Sequence, residues 1–247
     1  EQYSADALRF TLAILAVQGR DIRLSTDKLE QSRNFTNKLF NAARFLQMNV
    51  THFKDLDDSS ISTPLGKYML SRFHKATEET RAFMDEYRFN DAATVLYRFL
   101  WNEFCDWGIE LSKASKESIG ELGSIYKESM KLLHPFMPFI TEYLYHELSG
   151  TSLETTESIM VMPYPNNCTC DSEIEKEFDA IMDAIITIRR AKALIDLGNQ
   201  KIDLAYVKST GNETLMAPFI SRLAKVEEVR FTNEKVDNSI SDSGEYV

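Results

Sequence analysis

The sequence predicts a mainly α-helical fold: a helical bundle over residues 1–150, a small α+β subdomain over 151–234 and a polar, frayed tail over 235–247. Three observations carry that expectation. Apolar residues recur at three- and four-residue spacing through the bundle region. Capping residues bracket those stretches, from Ser4 at the start to Gly150 at the end. Beyond Gly150 the composition turns rich in Ser and Thr, and two short alternating runs, DLAYVKS and EEVRFT, interrupt the helical pattern.

The first segment, Ser4 to Gln18, sets Leu8, Leu12 and Leu15 at helical spacing and stops at Gly19. After the charged turn GRDIRLS a second helix starts near Ser25 to Asp27, where Asp27 and Glu30 have capping-box spacing, and runs to about Met48. Thr63-Pro64 is a cap with proline at the first helical position, opening a helix to about Tyr87 through Tyr68, Met69, Phe73 and Phe83. Asn90 is expected to cap the next helix, whose Phe99, Leu100, Trp101, Phe104 and Trp107 read as bundle core. Two further helices, about 117–133 and 136–149, are separated by His134-Pro135 and ended by Gly150. The second unit opens with a β-like run, SIMVM. A helix over about 173–197, the strand DLAYVKS, a helix near 215–224 and the strand EEVRFT complete it.

With 247 residues, 43% of them hydrophobic, the chain can fill a sizeable core. No apolar run reaches the roughly 18 residues of a membrane span, and the opening EQYSADALRF lacks a secretory pattern, so no membrane partner is expected. Cys105, Cys168 and Cys170 are an odd set without a second metal-ligand pair, which reads as reduced thiols of a cytoplasmic protein rather than a zinc site. His52, His74, His134 and His146 show no metal-binding spacing and read as loop or surface residues. No nucleophile–base pair, metal set or phosphate loop emerges, so no catalytic, metal or cofactor residues are expected.

The net charge of −10 argues at first against a nucleic-acid partner. Its distribution reverses that reading. Ten acids against one base fall between Glu142 and Asp183, whereas six bases face three acids from Arg20 to Arg44. In the latter stretch RNFTNKLFNAARFLQM separates, at about 100° per residue, into an apolar stripe of Phe35, Leu39, Ala42 and Leu46 and a second surface. That surface holds Asn34, Asn37, Lys38, Asn41, Arg44 and Phe45, with Arg33 adding a cation. Asparagine costs a few tenths of a kcal/mol or more in a helix interior, so three of them need another reason. Amides read base edges, cations neutralise phosphates, and a half-exposed ring stacks on an unpaired base. The alternative is that the amides pair with neighbouring helices and that Phe45 is core.

The motifs YSADALRFTLA, GRDIRLS, RNFTNKLFNAARF, FLWNEFCDWGIELSK and LLHPFMPFITEYLYHEL occur in an order and at a spacing that resemble the anticodon-binding region of valyl-tRNA synthetases, class I aminoacyl-tRNA synthetases. ADALR and the PFMPFITE segment are shared with isoleucyl, leucyl and methionyl relatives; NFTNKLFNAARF and FCDW point to the valyl branch. Gly108 stands where the family usually has an aromatic residue, and Tyr143 and Tyr145 where it has Glu and Trp. The resemblance implies an anticodon-binding helical bundle of the class Ia type, with tRNA(Val) as partner and Lys38, Arg44 and Phe45 as contact residues. It implies that Arg9 and Arg20 organise the junction with the catalytic domain of the same polypeptide or the inner side of the tRNA, with Asp21 holding one of them; intramolecular ion pairs are the alternative. ATP belongs to that catalytic domain. The two motifs with which it holds ATP phosphates are absent, and KASKES, residues 113–118, is a helix end, so the chain alone is expected to be inactive. DNA is not an expected partner. An isoleucyl or leucyl relative, or a helical protein-interaction scaffold, remains the competing reading. The cluster Arg189, Arg190 and Lys192 reads as a solvated helix face or as a surface near the tRNA or the bundle.

Overall fold

A computed structural model describes residues 3–17, 19–166, 169–208, 211–234, 236 and 242–244. Gln18, Cys168 and most of the polar tail lie outside the described residues. The chain forms two compact units, residues 1–109 with 117–170, and residues 110–116 with 171–247.

The first unit is helical. α1 (Ala5–Leu15) starts at Ser4, whose hydroxyl accepts from the Ala7 amide at 3.2 Å. α2 (Thr26–Gln47) is capped by Ser25, not by Asp27: the Ser25 hydroxyl accepts from the Lys28 amide. α3 (Pro64–Asp85) begins at Thr63 with proline in its first turn, and Glu121 accepts from the Ser62 amide at 2.8 Å and also from Thr63, tying that start to a distant helix. α4 (Phe89–Tyr97) has no side-chain cap; Asn90 lies inside it and bonds Asp91 instead. The chain then runs directly into a π-helical segment, Arg98–Gly108, and from there into α5 (Ile109–Ser112). α5, apart from Ile109, belongs to the second unit, and α6 (Ile119–Leu133) and α7 (Pro138–Ser149) complete the bundle.

Two features close α7. At its C-terminus Gly150 takes φ +69, which lets the Thr151 amide reach the His146 carbonyl at 3.0 Å. At its N-terminus Met137 offers no cap, and the buried Asp6 of α1 substitutes for one, accepting from the Phe139 and Ile140 amides at 3.2 and 2.7 Å.

The core is aromatic along α2. Phe10 and Phe35 pack at 5.0 Å between ring centroids, Phe35 and Tyr97 at 5.0 Å, and Tyr97 stacks on Trp101 at 5.4 Å. Farther along, the buried Tyr126 stacks on Phe104 and donates its hydroxyl to the Leu39 carbonyl at 2.7 Å. Three of the four histidines belong to this interior rather than to loops or the surface. His74 bonds Asp58 at 2.8 Å, His134 bonds Thr141 at 2.8 Å, and His146 bonds Thr151 and Glu142. The helical pattern hides them because each has a short polar side chain or a carboxylate within reach.

Residues 151–170, which their composition groups with the α+β subdomain, cluster with the first unit. Glu142 accepts from Ser158, the Tyr164 hydroxyl donates to Leu132, and Arg81 donates to Pro165. The β-like run SIMVM contains a 3-10 turn, Ile159–Val161, and no strand among the described residues pairs with it.

In the second unit α8 (Ser172–Leu194) is capped by Asp171, and β1 (Ile202–Val207), α9 (Glu213–Ala224) and β2 (Val226–Phe231) come after it. The two strands pair in parallel, Ile202 opposite Val226 and Val207 opposite Phe231. Such a pair needs a crossover helix, and α9 supplies it. The basic cluster of α8 is a solvated face only in part: Arg189 and Arg190 are exposed and Lys192 is buried. Arg189 donates to the Leu223 carbonyl at 2.8 Å and the buried Lys192 to Ala224 at 3.0 Å, so both satisfy the C-terminal carbonyls of α9.

Candidate nucleic-acid interface

α2 is divided as its periodicity requires. Phe35, Leu39, Ala42 and Leu46 are buried, and Ser32 holds the helix to α1 through a 2.7 Å bond with Thr11. The other side carries Asn34, Asn37, Asn41 and Arg44, and none has a side-chain hydrogen bond or ion pair among the described residues. Four polar groups with vacant donors thus lie together on about a third of one helix circumference.

Its edges differ. On one edge Lys38 and Phe45 are half-buried. The Lys38 ammonium sits 3.8 Å over the centre of the Trp101 ring and 2.5 Å from Oδ1 of Asp106. On the other edge Phe40 stacks on Tyr143 of α7, with centroids 6.2 Å apart and planes 18° from parallel. Arg33 pairs with Glu30 at 3.8 Å and lies over the Tyr3 ring.

Arg9 and Arg20 lie off this helix, on α1 and on the connector to α2. Arg9 donates to the Pro135 carbonyl at 3.0 Å, and Arg20 and Asp21 are exposed with no ion pair among the described residues. Asp21 therefore holds neither arginine. Near Arg9 an open apolar groove of about 490 Å³ runs between Leu12, Ala16, Ile22, Met84, Phe89 and Pro135.

Trp101 and Asp106 escape sequence reasoning. Trp101 and Trp107, expected as core, are half-exposed. The reason is the π-helical register: its i→i+5 hydrogen bonds bring residues five apart over one another, whereas an α-helix would set Trp101 and Asp106 about 140° apart. Both groups thus reach Lys38 from one face of Arg98–Gly108. The neighbouring Cys105 is buried, and desolvation pushes its thiol up to about 12 despite the opposing pull of Lys38, so it is not a nucleophile at neutral pH. No set of three or more His, Cys, Asp or Glu side chains that could hold a metal occurs among the described residues. No described helix is long and apolar enough to cross a membrane.

Residues 66–206 of this helical bundle match the family described as the anticodon-binding domain of tRNA ligase, and the chain belongs to that family. Among curated proteins it is similar to valine–tRNA ligases. It is 63% identical to that of Nitratiruptor sp. over 247 residues, all of this chain and 28% of the relative. It is 56% identical to that of Wolinella succinogenes, over 99% of this chain and 28% of the relative, and 37% identical to that of Thermotoga maritima, over 95% and 28%. The chain thus spans 28% of the length of these relatives. A leucyl-tRNA synthetase from Agrobacterium radiobacter K84, solved in a ternary complex with tRNA and LeuAMS, shares the fold with a TM-score of 0.54 at 18% identity, over 70% of this chain and 20% of that one.

Proposed function

We propose that this chain is the tRNA(Val) anticodon stem-loop recognition module of a valine–tRNA ligase, an enzyme that attaches valine to tRNA(Val) with ATP. ATP and the chemistry belong to the catalytic domain of the full polypeptide, and the chain alone binds RNA without turnover. The cytoplasm, where tRNA is charged, is the location this reading implies. The observation that carries it is the α2 face, where Asn34, Asn37, Asn41 and Arg44 lack side-chain partners among the described residues. Arg44 neutralises a phosphate, the amides accept and donate to base edges, and Phe45 stacks on an unpaired base. Lys38 adds a second cation at the edge. Arg33, Arg9 and Arg20 act at the margins: Arg33 extends the positive surface, and Arg9 and Arg20 serve the junction with the catalytic domain or the inner side of the tRNA.

The test is titration of a labelled tRNA(Val) anticodon stem-loop with the chain and its Arg44→Ala and Phe45→Ala variants. Each substitution is expected to weaken binding about tenfold, as loss of one phosphate or stacking contact does, and affinity is expected to fall steeply with salt. Unchanged affinity in both variants would remove the proposal.

A further inference from the structure

Within this interface one group has the wrong sign. Asp106 is a half-exposed carboxylate placed 2.5 Å from Lys38, on a surface whose other vacant groups attract a polyanion. A carboxylate beside a phosphate site lowers affinity for every RNA, since like charges repel without regard to sequence. Yet the fold goes out of its way to hold it there. Only the π-helical register sets Asp106 on the same side as Trp101, and such segments are rare and concentrate at functional sites. Lys38 is held from two directions, by the ring below and the carboxylate beside it, and its side chain is only 23% exposed against 51% for Asp106. The second carboxylate oxygen, Oδ2, has no hydrogen bond among the described residues.

We propose that Asp106 is a specificity-determining residue of the RNA face: it holds Lys38 against Trp101, away from indiscriminate phosphate contact, and accepts a hydrogen bond from the exocyclic amino group of the correct unpaired base. This rests on the RNA-binding reading of the α2 face. A base with an amino group donates to the vacant carboxylate oxygen, which weakens the hold of Oδ1 on Lys38 without removing the negative charge, and the ammonium is then shared between Asp106 and the adjacent phosphate. A uracil in that place presents carbonyl oxygens to the carboxylate over most of its edge, and the cation stays locked. Discrimination therefore comes from a repulsive element beside an attractive one.

The experiment compares the full 247-residue chain with Asp106→Asn and Asp106→Glu, using a cognate tRNA(Val) anticodon stem-loop and the same stem with an all-uridine loop. Asn is isosteric and its site is at the surface, so the thermal midpoint serves as the folding control. Asp106→Asn is expected to tighten the all-uridine RNA several-fold, steepen its salt dependence by about one phosphate contact, and reduce the cognate preference about tenfold. Asp106→Glu is expected to restore part of that preference. If Asp106→Asn changes both RNAs by the same factor, or leaves both unchanged while the wild type discriminates, the assignment of Asp106 is overturned and the RNA reading stands. If the wild type shows no preference and Arg44→Ala binds as well as it does, the RNA reading itself has failed, and Asp106 with it.

Discussion

α2 and α8 each carry a cluster of basic side chains, and the two differ in whether every member finds a partner. On α8, Arg189 and Lys192 reach the last carbonyls of α9, and Arg190 binds the Ser243 carbonyl and Asp242. Their donors are consumed inside the second unit. On α2, Arg44 and three asparagines have no side-chain partner among the described residues, while Lys38 is engaged by Asp106. The cations are of the same kinds; what differs is that a helix C-terminus lies within reach of Arg189 and Lys192, whereas Arg44 has no partner among the described residues. Orphan carbonyls at a helix end attract cations as phosphates do, so charge clustering by itself does not distinguish a binding surface from an internal cap.

Damage from beneath would break the contrast most severely. Phe35 is fully buried between Phe10 and Tyr97 and supports the whole α2 face. Phe35→Ala is expected to cost about 3–5 kcal/mol in urea unfolding and to abolish RNA binding by loosening the helix. A milder intervention separates the clusters. Lys192→Met removes one charged hydrogen bond to Ala224 and is expected to destabilise the second unit by about 1–2 kcal/mol with RNA affinity unchanged. Arg44→Ala does the reverse, weakening RNA while leaving the unfolding midpoint in place. Equal effects of the two substitutions on stability and binding would erase the distinction between the two helices.

The smallest expected effect is a pH dependence unrelated to either cluster. Burial holds His134 below the usual imidazole range, with Arg9 acting in the same sense and Glu142 and Asp6 opposing. The unfolded chain then takes up the proton first as pH falls, so stability declines as pH drops below about 6.5, the ordinary imidazole value. His134→Gln is expected to flatten that decline in urea midpoints measured across the range. A slope unaltered by the substitution would assign the acid sensitivity elsewhere.

The helical class, the Thr63-Pro64 and Gly150 boundaries, and the division of α2 into buried and exposed stripes were all legible in the sequence, because each depends on local spacing or a capping residue. The two strands were legible as alternating runs, but their parallel pairing was not. What was hidden depends on register or distant partners. Trp101 reads as core in an α-helical register and becomes half-exposed in the π-helical one. The buried histidines need partners far from any periodic pattern, such as Asp58 beside His74. The role of α8's cations required knowing where α9 ends. The α2 face was visible as an excess of asparagine, but its carboxylate edge was not, since no local pattern links residue 38 to residue 106.

The cap that Asp6 provides for α7 joins residues 133 and 134 positions apart. During synthesis α1 is made long before the amides it serves, and α7 starts at a methionine that offers them nothing. The first turn of the last bundle helix is thus completed only when α1 meets it, a long-range contact that carries the loop-closure entropy of more than a hundred intervening residues.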